Sequence, residues 1–255
     1  NNDLGMTREK AGDLKTAIAY YRHAIALQSN LAIAQGNLET AIQKKETQEK
    51  AIANYLEKER IGYQEILKTQ TEVEATFCQK IWSEVDRKYM QEVILPSIGK
   101  ANFSKVLFVG CGPYTKHYGQ YFNLEKTEYW TTDIDEGCSQ WGEEGRHVVA
   151  NAQKIDEYFT EHEFDAVIFS GVLGYGIDDD ESINEALEAM HSILKPGGIF
   201  VLGWQLYRNT DPRELKNMKR LFDNDTGLPL PKRISFENVP YHEGHWHVYD
   251  FLRAK

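Results

Sequence analysis

The sequence predicts an α/β domain, a doubly wound and mostly parallel sheet, preceded by an all-α helical-repeat segment. Three observations predict it. Residues 1 to about 95 hold no proline and place apolar residues at helical spacing. From Val106 onward, short apolar runs alternate with segments long enough for helices, the grammar of a parallel sheet covered on both faces. The first of those runs ends in a glycine turn, Gly110-Cys111-Gly112.

In the first part, Ala17, Ile18, Tyr21, Ala24, Ile25 and Leu27 fall on one helical face. Leu4-Gly5, Ala17, Tyr21 and Ala24 resemble the tetratricopeptide pattern, whose period is ~34 residues, with Gly12-Asp13 where such repeats turn. One period on, Leu38, Ala51, Ile52 and Tyr55 match, while Glu39 and Lys58 stand where Gly and Ala are expected. Residues 1–64 therefore read as one good repeat and a degenerate one, the alternative being an ordinary amphipathic hairpin. Residues 65–99 read as connecting helices, with Pro96 and Gly99 marking the stop. Residues 100–255 are the α/β domain.

Composition narrows the function classes. The 255 residues are 41% hydrophobic, too apolar for a disordered chain. Lys plus Arg is 29 against 39 Asp plus Glu, a formal net charge of -10, which disfavours a nucleic-acid or anionic-membrane binder. No apolar run approaches the ~20 residues of a membrane span, and no signal-peptide pattern opens the chain. Cys78, Cys111 and Cys138 are odd in number and lack C-x-x-C spacing, against a disulfide scaffold or zinc site. A cytoplasmic protein is expected. Beginning at Asn1 rather than Met, the chain reads as a piece of a longer polypeptide.

The strands follow in order. Val106–Val109 runs into the glycine turn, and a helix is expected from about Thr115, whose N-terminus would offer N–H groups to an anion. A dinucleotide fingerprint needs a third glycine at position 115, so a nicotinamide dehydrogenase is disfavoured. Tyr129–Thr132 is a second strand, and Asp133 stands at its end, 23 positions after Gly110, where a carboxylate can accept hydrogen bonds from a ribose diol. His147–Ala152, the strand Ala166–Phe169, a helix over Glu181–Leu194, and Ile199–Leu202 complete the series. Trp246–Leu252 reads as a final strand.

With these pieces in this order and spacing, residues ~100–255 resemble a class I S-adenosylmethionine-dependent methyltransferase. The motifs that carry the likeness are the glycine loop, "FDAVIFS" at Phe164–Ser170 and "LKPGGIFVL" at Leu194–Leu202. The resemblance implies a Rossmann-like methyltransferase fold whose last strand is antiparallel, and S-adenosylmethionine as cofactor. It implies that Gly110, Cys111 and Gly112 border the methionine moiety, that Asp133 holds the ribose and that Ile134 lies against the adenine. Asn151 and Ala152 would meet the adenine edge, and Ser170 and Gly171 would sit below the sulfonium. A loop role for Asn151 and a helix cap for Asp133 are the structural alternatives. The chain departs from the family at Phe108, where an acidic residue is common, and at Tyr114, where a small one is. Tyr114 or Tyr118 offers an aromatic or hydroxyl contact, or packs.

Methyl transfer is an in-line displacement that chiefly requires alignment, and a hydroxyl acceptor gains from a nearby base. The catalytic candidates are His117, beside the glycine loop, and Tyr175, between Gly174 and Gly176. Trp204 and Tyr207 follow the fifth strand. His242-x-x-His245-x-His247 with the run Asp178–Glu181 raises a divalent ion, but His247 reads as a strand residue and the acidic run as a helix start, so no metal is expected. The acceptor is expected to be a small molecule or glycan, methylated at oxygen, with a protein partner on the helical repeats as a further option. The rival is a non-catalytic scaffold in which Phe108 and Tyr114 fill the cofactor pocket.

Overall fold

The computed structural model describes residues 2–10, 14–27, 32–47, 50, 72–206, 211–237 and 246–255. The chain divides into two units, Asn1–Thr69 with Glu237–Trp246 and Gln70–Phe236 with His247–Lys255. Among the described residues no helix is long and apolar enough to cross a membrane.

The first unit contains helices α1 (Asn2–Lys10), α2 (Leu14–Leu27) and α3 (residues 32–47). Leu14, Ala17, Ile18 and Tyr21 of α2 bury the face that the helical spacing marks, with Ala41 of α3 and with Leu38 and Ile42 packed beside it. Gly5 is required by Tyr21: a Cβ there would lie 2.4 Å from the ring. The Tyr21 hydroxyl donates to Glu9 at 2.8 Å, and Lys44 pairs with the same carboxylate at 2.6 Å. Gly5→Val is therefore expected to lower the thermal midpoint, costing ~1–3 kcal/mol by overpacking, as circular dichroism melting would read. Gly12-Asp13, Ala51, Ile52, Tyr55 and Lys58 lie outside the described residues, so one helix pair and a third helix are what is seen of the expected repeats.

In the second unit α4 (Glu72–Trp82) and α5 (Val85–Tyr89) precede a π-helical turn at Met90–Ile94 and α6 (Leu95–Lys100). Pro96 does not stop a helix. It opens one, because a first-turn N–H has no intrahelical partner to lose. The buried side chains Met90, Ile94, Leu95 and Ile98 then cover one face of the sheet, against Val106, Phe108, Ala166, Ile168, Val201, Tyr249 and Phe251.

The strands are β1 (Lys105–Val109), β2 (Glu128–Asp133), β3 (His147–Val149), β4 (Phe164–Ser170), β5 (Leu194–Gln205), β6 (Phe222–Asp223), β7 (Arg233–Glu237) and β8 (Trp246–Ala254). They form one sheet of order β3-β2-β1-β4-β5-β8-β6, with β7 also on β8. β1 to β5 pair in parallel, while β8 runs antiparallel to β5, placing Tyr249 opposite Gly203. The all-apolar runs of β1 and β4 follow from burial on both faces. The second face is covered by α7 (Asp180–Ile193) through Ile183, Ala186, Leu187, Met190 and Ile193, with α8 (Lys216–Leu221) beside it. Asp179, from the acidic run, caps α7 by accepting from the Ser182 N–H at 2.8 Å.

The helix expected from Thr115 is absent. Two 3₁₀ turns, Pro113–Thr115 and Tyr118–Tyr121, stand there instead. The Gly112 N–H and the Thr115 hydroxyl bond each other's turn, and a Cβ on Gly119 would sit 2.7 Å from the Glu143 carboxylate and 3.4 Å from the Tyr129 ring, so the chain folds tightly against β2. No helix N-terminus is offered to an anion at this point.

Candidate active site

In an open parallel sheet the ligand crevice lies at the carboxyl ends of the strands, where the order reverses. Here that point is between β1 and β4, whose neighbours β2 and β5 lie on opposite sides. Gly110 ends β1 at φ +97°, and a Cβ there would lie 2.7 Å from the Ser170 carbonyl oxygen. Only glycine satisfies both constraints, and its small size keeps the crevice open. Gly171, at φ +77°, ends β4 in the same way.

Above these ends is a cleft of about 140 Å³. It collects Gly110, Asp133, Ile134, Asn151, Ala152, Gly171 and Tyr175 from the residues singled out by sequence. Asp133 accepts from the Cys111 N–H at 2.8 Å on one oxygen and from the Asp135 N–H at 2.9 Å on the other. It therefore ties the glycine loop to the end of β2 while each oxygen keeps a lone pair for a ligand. Ile134, which lines the cleft, is 67% exposed. Asn151 caps a 3₁₀ turn by accepting from the Gln153 N–H at 2.9 Å, which leaves its amide donors to the cleft. Tyr175, 45% exposed, is presented by a turn with Gly174 and Gly176 both at positive φ.

Three of the expected residues lie beneath the cleft rather than on its surface. Burial pushes the Cys111 thiol up, so it packs against the Thr132 carbonyl as a neutral group. Gly112 is extended backbone against the Tyr114 ring. Ser170 is 2% exposed, its hydroxyl packed against Gly203, where a Cβ would lie 2.4 Å from it. Phe108 does not fill the cleft. It is buried in the core, edge-on to Tyr118 at 5.3 Å.

His117 lines a second cavity, of about 200 Å³, with Trp82, Gln91, Tyr114, Tyr118 and Gln120. The two catalytic candidates thus stand in different cavities. Tyr114 separates them, its ring lining the second and its hydroxyl 3.9 Å from where a Gly171 Cβ would be.

A buried polar group beside this partition has no counterpart in the sequence reading. Asp86 of α5, 2% exposed, holds His247 of β8 through Oδ2 and Nδ1 at 2.5 Å. Burial alone raises the Asp86 carboxyl, but the charges and hydrogen bonds of His247 and Arg87 outweigh it and hold it well below the usual carboxylate range. Arg87 lies over the Tyr114 ring, 5.0 Å from its centre. His247 and Asp86 are 161 positions apart, and Asp86-Arg87-Lys88 reads as a solvated helix turn, so no sequence signal joins them. His242 and His245 lie outside the described residues, as does Tyr207. Trp204 is buried in the core.

Residues 107–202 match the family model described as a methyltransferase domain. The fold is similar to that of N-methyltransferase NodS from Bradyrhizobium japonicum WM9 in complex with S-adenosyl-l-homocysteine, at TM-score 0.53 and 13% identity, over 76% of this chain and 98% of that one. A TehB-like SAM-dependent methyltransferase from Corynebacterium glutamicum ATCC 13032 Kitasato matches at TM-score 0.47 and 18% identity, over 71% and 98% of the two chains. The 1,6-didemethyltoxoflavin-N1-methyltransferase from Burkholderia thailandensis matches at TM-score 0.46 and 16% identity, over 73% and 92%. The comparison with curated proteins found no match.

Proposed function

We propose that this chain, which carries a match to a methyltransferase domain over residues 107–202, transfers a methyl group from S-adenosylmethionine to an oxygen of a small-molecule acceptor. The observation that carries this reading is the cleft at the β1–β4 switch point, where Asp133 and Ile134 stand together at the end of β2. The donor set fits the cofactor. The free lone pairs of Asp133 suit a ribose diol, the exposed Ile134 suits the face of a purine, and the bare backbone of Gly110 and Gly171 suits close approach. The Asn151 amide is placed for the adenine edge, and the Tyr175 ring for closing the cleft over the nucleoside. The bound cofactor supplies an electrophilic methyl on a sulfonium.

The chain's own residues then have little covalent work. Gly110, Gly171 and the Tyr114 ring set the line of approach and exclude water, which is most of what an in-line displacement needs. His117, exposed at the second cavity, takes the proton of the acceptor hydroxyl. Cys111 is no nucleophile, since burial keeps it protonated.

Calorimetric titration of the chain with S-adenosylmethionine and S-adenosylhomocysteine tests the reading. Micromolar binding of both is expected. Absence of binding at millimolar ligand, with the fold intact by circular dichroism, sinks it. Asp133→Ala is expected to weaken binding by ~1–3 kcal/mol, which is ~5–150-fold, because ribose donors would lose their partner. Asp133→Asn keeps one acceptor oxygen and falls between the two. An unchanged affinity in Asp133→Ala would remove Asp133 from the site.

A further inference from the structure

The polar groups at the β3 end of the first cleft restrict which atoms of a base can meet it. The strand order β3-β2-β1 carries the cleft from Gly110 at the end of β1, past Asp133 at the end of β2, to Asn151, two residues beyond β3. Neighbouring strands lie ~4.8 Å apart. A nucleoside with its ribose at Asp133 therefore lays its base along Ile134. Its outer edge, remote from the glycosidic bond, is then turned toward Asn151.

What Asn151 offers that edge is fixed by its own turn. The atom facing the Gln153 N–H at 2.9 Å must be the carboxamide oxygen, because only an acceptor can stand there. The Asn151 backbone carbonyl is engaged as well, by the Lys154 N–H at 2.9 Å. Both oxygens of the residue thus face the 3₁₀ turn Ala152–Glu157, and the group turned from it is Nδ2, a donor. Gln153 also lines the cleft, but its amide nitrogen is spent on Glu185 of α7 at 2.6 Å. Of these two carboxamides it is therefore Asn151 that offers its nitrogen.

A donor at the outer edge of adenine has one acceptor to meet. That edge carries the 6-amino group, itself a donor, and the ring nitrogen N1, whose lone pair lies in the plane of the base. Resting on the methyl-transfer reading above, we propose that Asn151 is a specificity-determining residue for the cofactor: its Nδ2–H donates to adenine N1. The residue selects the base by that ring nitrogen and leaves the 6-amino group unread. A carboxylate in the same place would do the reverse, accepting an N–H from a base and opposing the N1 lone pair.

The test titrates the full chain by calorimetry with S-adenosylhomocysteine and three analogues. The 1-deaza compound replaces N1 by C–H, the 3-deaza compound controls for a nitrogen lost elsewhere in the ring, and S-inosylhomocysteine carries a hydrogen on N1. The 1-deaza compound is expected to bind about fivefold or more weaker, because a covered donor loses its partner, and the 3-deaza compound within about twofold of the parent. S-inosylhomocysteine is expected to bind about tenfold or more weaker, because two donors then face each other. Asn151→Asp keeps the cap, since a carboxylate accepts the same Gln153 N–H. It is expected to narrow the preference for S-adenosylhomocysteine over S-inosylhomocysteine by about tenfold, because its free oxygen can take the N1–H. The proposal is overturned if the 1-deaza compound or S-inosylhomocysteine binds within about twofold of the parent. It is also overturned if Asn151→Asp widens the preference, which would set position 151 against the 6-amino group. Binding of the parent and the 1-deaza compound alike defeats the Asn151 assignment alone. No binding of S-adenosylhomocysteine to the unaltered chain defeats the methyl-transfer reading as well.

Discussion

Asp250→Ala is expected to cost about 3–5 kcal/mol of folding stability, the range for removing one partner of a buried ion pair. Asp250, fully buried in β8, accepts from Arg233 Nε at 2.7 Å and Nη2 at 2.8 Å, and from the Trp204 N–H at 2.9 Å. Arg213 reaches the same carboxylate at 2.5 Å. Arg233 also grips Asp211 with two bonds, of 2.6 and 2.7 Å, so two arginines face two aspartates and the charges balance. Alanine at 250 leaves two guanidinium groups on one carboxylate and strands the indole N–H in the core. Urea unfolding should show a lower midpoint with an unchanged slope. Replacing Asp211, Asp250, Arg213 and Arg233 together by apolar residues, which leaves no unpaired charge, should cost less than the single change, since the desolvation of the ions is then recovered. A single-variant loss below ~1 kcal/mol would mean that water screens the network.

The second large effect is acid lability through Asp86. Its folded carboxyl titrates below the unfolded value of ~3.9, so the carboxylate form favours the native state. A lowered folded pKa contributes stability above the unfolded pKa and forfeits it as pH falls toward the folded one. Stability should therefore hold from neutral pH to about pH 5 and decline below it. Glu163, Asp165 and Asp211 are held low as well, and they steepen the decline. Asp86→Asn should be less stable at pH 7 and lose stability more shallowly in acid, by up to ~1.4 kcal/mol per pH unit for the missing proton. Urea midpoints measured from pH 7 to pH 3 for both proteins decide it. Parallel curves would show that Asp86 does not couple folding to pH.

The parts of the fold that sequence discloses are those where one local rule decides. β1 and β4 announce themselves because strands buried on both faces must be apolar throughout. Asp179 and the apolar stripe of α7 mark that helix within one residue. The residues after the glycine loop mislead, because Pro113 and Gly119 are each compatible with a helix end, and tight packing over β2 selects 3₁₀ turns. Pro96 misleads for a related reason: proline stops one helix and starts another with equal ease. In the cleft, Gly110, Asp133 and Gly171 stand at strand ends, where the order of the apolar runs and the resemblance together direct attention. Asp86, Arg87 and Trp82 carry no such signal, since they lie on helices that precede the sheet and have no fixed spacing relative to it.

The antiparallel strand that divides β5 from β6 also sets a timetable. β5 is complete at Gln205, yet its partner on that side begins at Trp246, roughly 40 residues later. At synthesis rates of ~5–20 residues per second, the growing chain carries an unpaired edge along Ile199–Gln205 for ~2–8 s. That edge belongs to an apolar run, Ile199-Phe200-Val201-Leu202, of the kind that recruits foreign strands. Slower translation across residues 206–245 would lengthen the interval, and yield of soluble protein should fall with it.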